Sequence, residues 1–235
     1  MAAFSSLQTR YNKCMTIPEY WLPRPEFDLE AHRNNFEFAL EAALKTGVGQ
    51  APDAPTWAWL SWLCDTQGFA AHGTGQGDIM VFEPRQSNDI GWFGNRKAVY
   101  AASDALWAMF FAIMNRPMVP MTIVNAAINV RLNSKLEPRY FFGASRAALD
   151  HHAFRDGWVY LLPATGFERE PGGTRLGVVF ESHHLACLDL VRPAFRVAVS
   201  PSDFPFLERI HAYDGVALAA SVAHDPNGFP WLEDA

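Results

Sequence analysis

Apolar and polar positions follow two rhythms along this chain. Across residues 27–46, Phe27, Leu29, Phe36, Phe38, Leu40, Ala43 and Leu44 recur among charged residues and stop at Gly47, which predicts an amphipathic helix closed by a glycine. Residues 47–55 are rich in Gly and Pro and read as a loop, and Trp57, Trp59, Leu60 and Trp62 then make a short apolar segment that is most simply core. From His72 onward the rhythm shortens to strand-like runs at 79–82, 98–101, 123–130, 140–142, 158–162, 176–180 and 195–199, separated by Gly, Pro and Asn. One helix over 103–115 interrupts them and is halted by Pro117.

Many short strands with few helices predict an α+β architecture built on antiparallel sheets. Residues 1–65 read as a helical amino-terminal region and 66–235 as the sheet-bearing domain, the two forming one compact unit without internal repeat or linker. The acidic tail over 214–234 reads as a loosely packed end.

Composition sharpens this picture. The 235 residues suit a single core, and 49% hydrophobic against 19% charged residues, with 8 Trp and 18 Phe, belong to a folding chain. The longest apolar stretch, over 105–114, is too short to span a bilayer, and the amino terminus lacks a basic-then-apolar signal pattern. A cytoplasmic protein with no membrane association is the expectation. Cys14, Cys64 and Cys187 are far apart and have no metal-ligand spacing, so free thiols are expected. A net charge of -6 argues against adhesion to nucleic acid by charge alone. The charge is uneven, however: Arg96, Lys97, Arg116, Arg131, Lys135, Arg139, Arg146 and Arg155 face only Asp104, Glu137 and Asp150 within one stretch. A local basic face of that kind suits a pyrophosphate or a nucleic acid.

Candidate chemistry centres on Phe69-Ala70-Ala71-His72-Gly73-Thr74 and on the stretch from Ala98 through Tyr100 to Phe111. An imidazole followed by a residue without a side chain lets ring and backbone face one ligand. Tyr100 closes an apolar run just before Ser103 and Asp104, which read as a helix cap. Trp107, Phe110 and Phe111 then lie on an apolar helix, where a core role also fits. Gly73-Thr74-Gly75-Gln76-Gly77 has the wrong spacing for a dinucleotide fingerprint, and neither a phosphate-loop motif nor a GxSxG elbow occurs. The pairs His151-His152 and His183-His184 are poor metal sites, since neighbours on a strand point to opposite faces.

In these residues the chain resembles the ADP-ribosyltransferase superfamily, in the branch marked by a His, Tyr and Glu triad that includes the poly-ADP-ribose polymerases and diphtheria-type toxins. The resemblance covers residues 69–111 and extends loosely to Val199. It implies a split antiparallel sheet and NAD as substrate. By that resemblance His72 contacts the adenosine ribose, the Gly73 backbone pairs with the nicotinamide amide, and Thr74 adds a hydroxyl. Tyr100 stacks on nicotinamide and Phe111 completes the sandwich, while Arg85 meets the phosphates. The third triad position falls to Glu181, with Glu168 and Glu170 as rivals, and His184 nearby is compatible with the usual carboxylate being absent. No metal is implied.

Cleavage of the nicotinamide–ribose bond develops positive charge on the sugar, which a carboxylate stabilises. The expected activity is therefore transfer of ADP-ribose from NAD to a macromolecular acceptor, nucleic acid or protein, with release of nicotinamide. The compact size resembles intracellular bacterial members that act as toxins or in phage defence, for which an antitoxin or regulator is an expected partner. Alternatives are an NAD glycohydrolase, with water as acceptor, and a catalytically inactive NAD- or partner-binding module of the same fold.

Overall fold

The computed structural model describes residues 17–87, 89, 91–132, 134–175 and 178–232; Cys14, Leu176, Gly177 and Asp234 lie outside them. The first third of the chain runs β1 (Leu22–Pro23), α1 (Arg33–Thr46), β2 (Val48–Gly49), α2 (Thr56–Thr66) and β3 (Phe69–Thr74). Next come β4 (Arg85–Gln86), β5 (Lys97–Ala102), α3 (Ala105–Ile113), β6 (Ile123–Leu132), β7 (Lys135–Ser145), α4 (Arg146–Asp150) and β8 (Gly157–Pro163). The remainder is β9 (Glu168–Arg169), β10 (Gly173–Arg175), β11 (Val178–Ser182), β12 (His184–Cys187), β13 (Phe195–Val199), β14 (His211–Tyr213) and α5 (Gly215–His224). This is an α+β fold of two mostly antiparallel sheets.

One sheet has the order β1-β7-β6-β11-β10, with β14 parallel to β7. The other has the order β2-β13-β8-β3-β5-β12-β9, with β4 on β5. The chain from Val178 to Cys187 serves both. Ser182 pairs with Ile128 of β6 in the first sheet, and two residues later His184 pairs with Ala102 of β5 in the second. His183 is the crossing point, its N–H donating to Ala127 and its carbonyl accepting from the Ser103 N–H.

The expected amino-terminal helix forms, but it begins at Arg33. Asp28 accepts the Ala31 N–H at 3.0 Å, and the residues after it bond three apart, His32 to Leu29 and Arg33 to Glu30, so the four-apart ladder starts only with Phe36 to His32. The helix ends at Gly47, whose φ of 74° is the left-handed value a glycine tolerates. The tryptophan segment is helix α2, buried from Trp57 through Leu63, so it shows no polar face. Along β8 the apolar run is continuous for a similar reason: Val159 and Leu161 face the helices, while Tyr160 and Leu162 face a second core with Val99 and Leu185.

Two sequence expectations are corrected. Residues 79–82 form no strand, because the Ile79 N–H is taken by the Tyr160 hydroxyl and only Phe82 makes a bridge, to Val191. The tail is not loose: Asp214 accepts the Val216 and Ala217 N–H groups to start α5, and Leu218, Phe229 and Trp231 pack with Val124, Phe141 and Tyr213. Cys64 and Cys187 are both free thiols. Among the described residues no helix is long and apolar enough to cross a membrane.

Candidate functional site

Strands β3 and β5 pair at a single position, Ala71 with Ala102, and then separate. His72 holds the opening, with Nδ1 2.7 Å from the Tyr100 carbonyl oxygen. A carbonyl only accepts, so Nδ1 carries the proton and Nε2 is left as an acceptor in the neutral ring. Burial lowers the His72 pKa against the pull of that carbonyl and keeps the ring neutral. Beyond this point β3 is paired on its other side only, with β8.

The glycines that follow have three separate reasons. A Cβ on Gly73 would lie 1.7 Å from the Ala108 carbonyl oxygen, so β3 lies directly against α3 only because residue 73 has no side chain. A Cβ on Gly75 would meet the Arg155 guanidinium at 2.0 Å, and one on Gly77 the Trp158 indole at 2.5 Å. The Gly-Thr-Gly-Gln-Gly run is thus a track over a helix, a guanidinium and an indole.

His72, Gly73, Thr74, Tyr100 and Phe111 all line one cleft of ≈ 1860 Å³ that runs from the β3–β5 opening along β6 to α5. Tyr100 is anchored at its hydroxyl, which accepts the Arg96 N–H at 2.8 Å. On β12, His184 faces the same cleft among aromatic rings, with centroids 5.2 Å from Tyr100, 5.4 Å from Trp107 and 5.2 Å from Phe93. Trp107 and Phe111, one helical turn apart on α3, lie 6.2 Å from each other. Phe110, by contrast, is core.

The carboxylates separate by face. Phe180 and Ser182 line the cleft, but Glu181 between them does not; its partner is Arg131 at 3.8 Å, and both side chains are largely exposed. Glu168 pairs with Arg96 at 2.5 Å and is also outside the lining. Glu170 is in it, its Oε2 accepting from the Ser182 hydroxyl at 2.6 Å and lying 3.7 Å from His184 Nδ1. Burial alone would raise the Glu170 pKa, but His184 and Ser182 outweigh it and the net shift is downward, so the group is ionised at neutral pH. Arg85 is exposed on β4 and does not line the cleft.

Beneath the site lies a buried polar network that sequence inspection missed. Asp104 caps α3 through the Trp107 N–H at 3.1 Å, and its other oxygen accepts from Arg24 at 2.7 Å and from the Tyr140 hydroxyl at 2.7 Å. Burial pushes the Asp104 carboxyl up, yet His183, Arg24 and Tyr140 together hold it below the usual range. Burial also lowers His183, leaving it uncharged at neutral pH, so the compensating charge is that of Arg24. Ser103 joins the two ends of this region, accepting from Arg169 at 2.8 Å and lying 2.8 Å from His183 Nδ1.

The basic stretch of the sequence is not one basic face. Arg96, Arg131 and Arg139 each have a carboxylate partner, whereas Arg116 and Arg155 line the cleft without one among the described residues. The described residues contain no group of three His, Cys, Asp or Glu arranged to hold a metal ion. Compared with known proteins, the chain matches no family model, no curated protein and no solved structure.

Proposed function

We propose that this chain is an NAD-dependent ADP-ribosyltransferase that passes ADP-ribose from NAD to a macromolecular acceptor, nucleic acid or protein. The observation that carries the reading is the β3–β5 opening: His72 and Gly73 on one strand and Tyr100 on the other border a single cleft with Phe111 and an ionised Glu170. In this reading the nicotinamide lies in the cleft lined by Tyr100 and Phe111 with its amide on the Gly73 backbone, and His72 Nε2 accepts from a ribose hydroxyl. Glu170, steadied by Ser182, supplies the negative charge that favours the positive charge developing on the sugar. Glu170 takes this role in place of Glu181 because it alone of the three candidate glutamates borders the cleft.

The test is nicotinamide release from NAD by the purified chain, alone and with cell extract, beside His72→Ala. The expected result is release stimulated by extract and abolished by the substitution; release unaffected by His72→Ala overturns the assignment of the site. A second reading, an NAD-binding module without turnover, is favoured by His184, a histidine rather than a carboxylate facing Tyr100 and Trp107 from β12. Binding of NAD by calorimetry with no release under either condition selects it, and release of ADP-ribose equal to nicotinamide without extract selects hydrolysis.

A further inference from the structure

We propose that Arg116 and Arg155 form a diphosphate-binding subsite of the cleft, and that the diphosphate is that of NAD; the identity of the ligand rests on the reading just given. Both arginines line the cleft, and the Arg155 Nε is buried without a hydrogen-bond partner. A buried cationic donor left unpaired is costly, and a bound anion removes that cost. The carbonyl end of α3 does not account for the two arginines. The Ile113 and Met114 carbonyls are already met by the backbone N–H groups of Arg155 and Arg116.

The Met114–Phe154 bridge brings the backbones of the two arginines together, and Arg116 is lowered by burial and by the charge of Arg155. A doubly charged ligand of two linked phosphates satisfies both forks at once. Position supports the same ligand. Arg116 lies over the Phe111 ring, 5.6 Å from its centroid, and Arg155 rests on Gly75, just beyond the His72–Thr74 strand end. In NAD the diphosphate follows the nicotinamide by one sugar, so a ring held at Phe111 leads the phosphates towards this pair. Gly75 belongs to the device, since any side chain there displaces the guanidinium.

The test is calorimetric titration of inorganic pyrophosphate, NAD and nicotinamide riboside into the wild-type chain, Arg116→Ala/Arg155→Ala and Gly75→Ala, with thermal melting to show that each is folded. Gly75→Ala leaves the charge unchanged and moves only the flexible end of Arg155, so it answers the question even if the double variant fails to fold. The expected result is binding of pyrophosphate and NAD that weakens about tenfold for each guanidinium removed or displaced. Nicotinamide riboside, which lacks phosphate, binds all three proteins alike. Unchanged pyrophosphate affinity in the folded variants overturns the subsite. Loss of pyrophosphate binding with NAD affinity intact overturns NAD as its ligand while leaving the proposed function standing. A wild-type chain that takes pyrophosphate through these arginines but not NAD overturns the proposed function and the ligand together.

Discussion

Glu170 and Glu181 are both glutamates on or beside strands of the same region, yet only Glu170 borders the cleft. Glu170→Gln keeps the shape and the Ser182 contact but removes the charge, so NAD affinity is retained and nicotinamide release falls by about a hundredfold or more. Glu181→Gln leaves release at the wild-type rate. Steady-state kinetics on the two variants checks this, and the opposite ranking overturns the assignment. The pH dependence has a definite sign. Because the Glu170 pKa is depressed, release persists as pH falls through the ordinary glutamate range and is lost only below it. The sequence put His72, Gly73 and Tyr100 in view through residue type and spacing. It offers Glu170 only as a rival to Glu181, because Glu170 sits in a Gly- and Pro-rich stretch without periodicity, where a glutamate reads as solvated. Arg155 is visible only as one cation of a basic stretch; its seat on Gly75, eighty residues away, is made by the fold alone.

Helix α3 is the element on which the site depends, since it carries Trp107 and Phe111 and presses the Ala108 carbonyl against Gly73. Its start was legible, because Ser103-Asp104 before an apolar run is a cap signal, and the Asp104 to Trp107 bond is that cap. The burial of Asp104 between Arg24 and Tyr140 was not legible, for those partners come from β7 and from the segment after β1. Asp104→Asn keeps the size but removes the buried carboxylate partner of Arg24, leaving it the more exposed Asp65. It is expected to cost about 3 kcal/mol at pH 7, the scale for breaking a buried ion pair. The folded Asp104 pKa is below its unfolded value, so its contribution is present above the unfolded carboxylate range and is lost as pH falls through the folded pKa. Urea unfolding at neutral and acidic pH therefore shows a gap between wild type and variant that narrows on acidification; a gap constant with pH rejects the ionised Asp104. Strand β12 was missed for a related reason. Its four residues open on the second of two histidines, and only pairing with β5 on one side and β9 on the other makes them a strand.

At the scale of the whole molecule, the cleft lies where the two sheets part, and its far end is built by the carboxy-terminal α5 with Phe229 and Trp231. Sequence reading failed here although a signal existed: Asp214 followed by Gly-Val-Ala-Leu-Ala-Ala is a capped helix start, and its mixture with acidic and turn residues masked it. The aromatic cluster is what fixes the tail. Phe229 packs edge-on to Phe141 at 5.6 Å and tilted against Trp21 at 5.8 Å, and the Tyr213 hydroxyl donates to the Pro230 carbonyl. A chain ending at Asp214 uncovers Phe141 and Val124, which the full chain buries, at a cost of roughly 2 kcal/mol for each. Its melting temperature is expected to fall by several degrees. The opening between β3 and β5 belongs to the other sheet and draws nothing from α5, so the shortened chain, where folded, keeps its affinity for NAD. Differential scanning calorimetry with and without NAD reads both quantities. A shortened chain of unchanged melting temperature means that the tail is not structural, whereas lost NAD binding in a folded shortened chain means that the dinucleotide reaches the α5 end of the cleft and that the site is larger than the triad region alone.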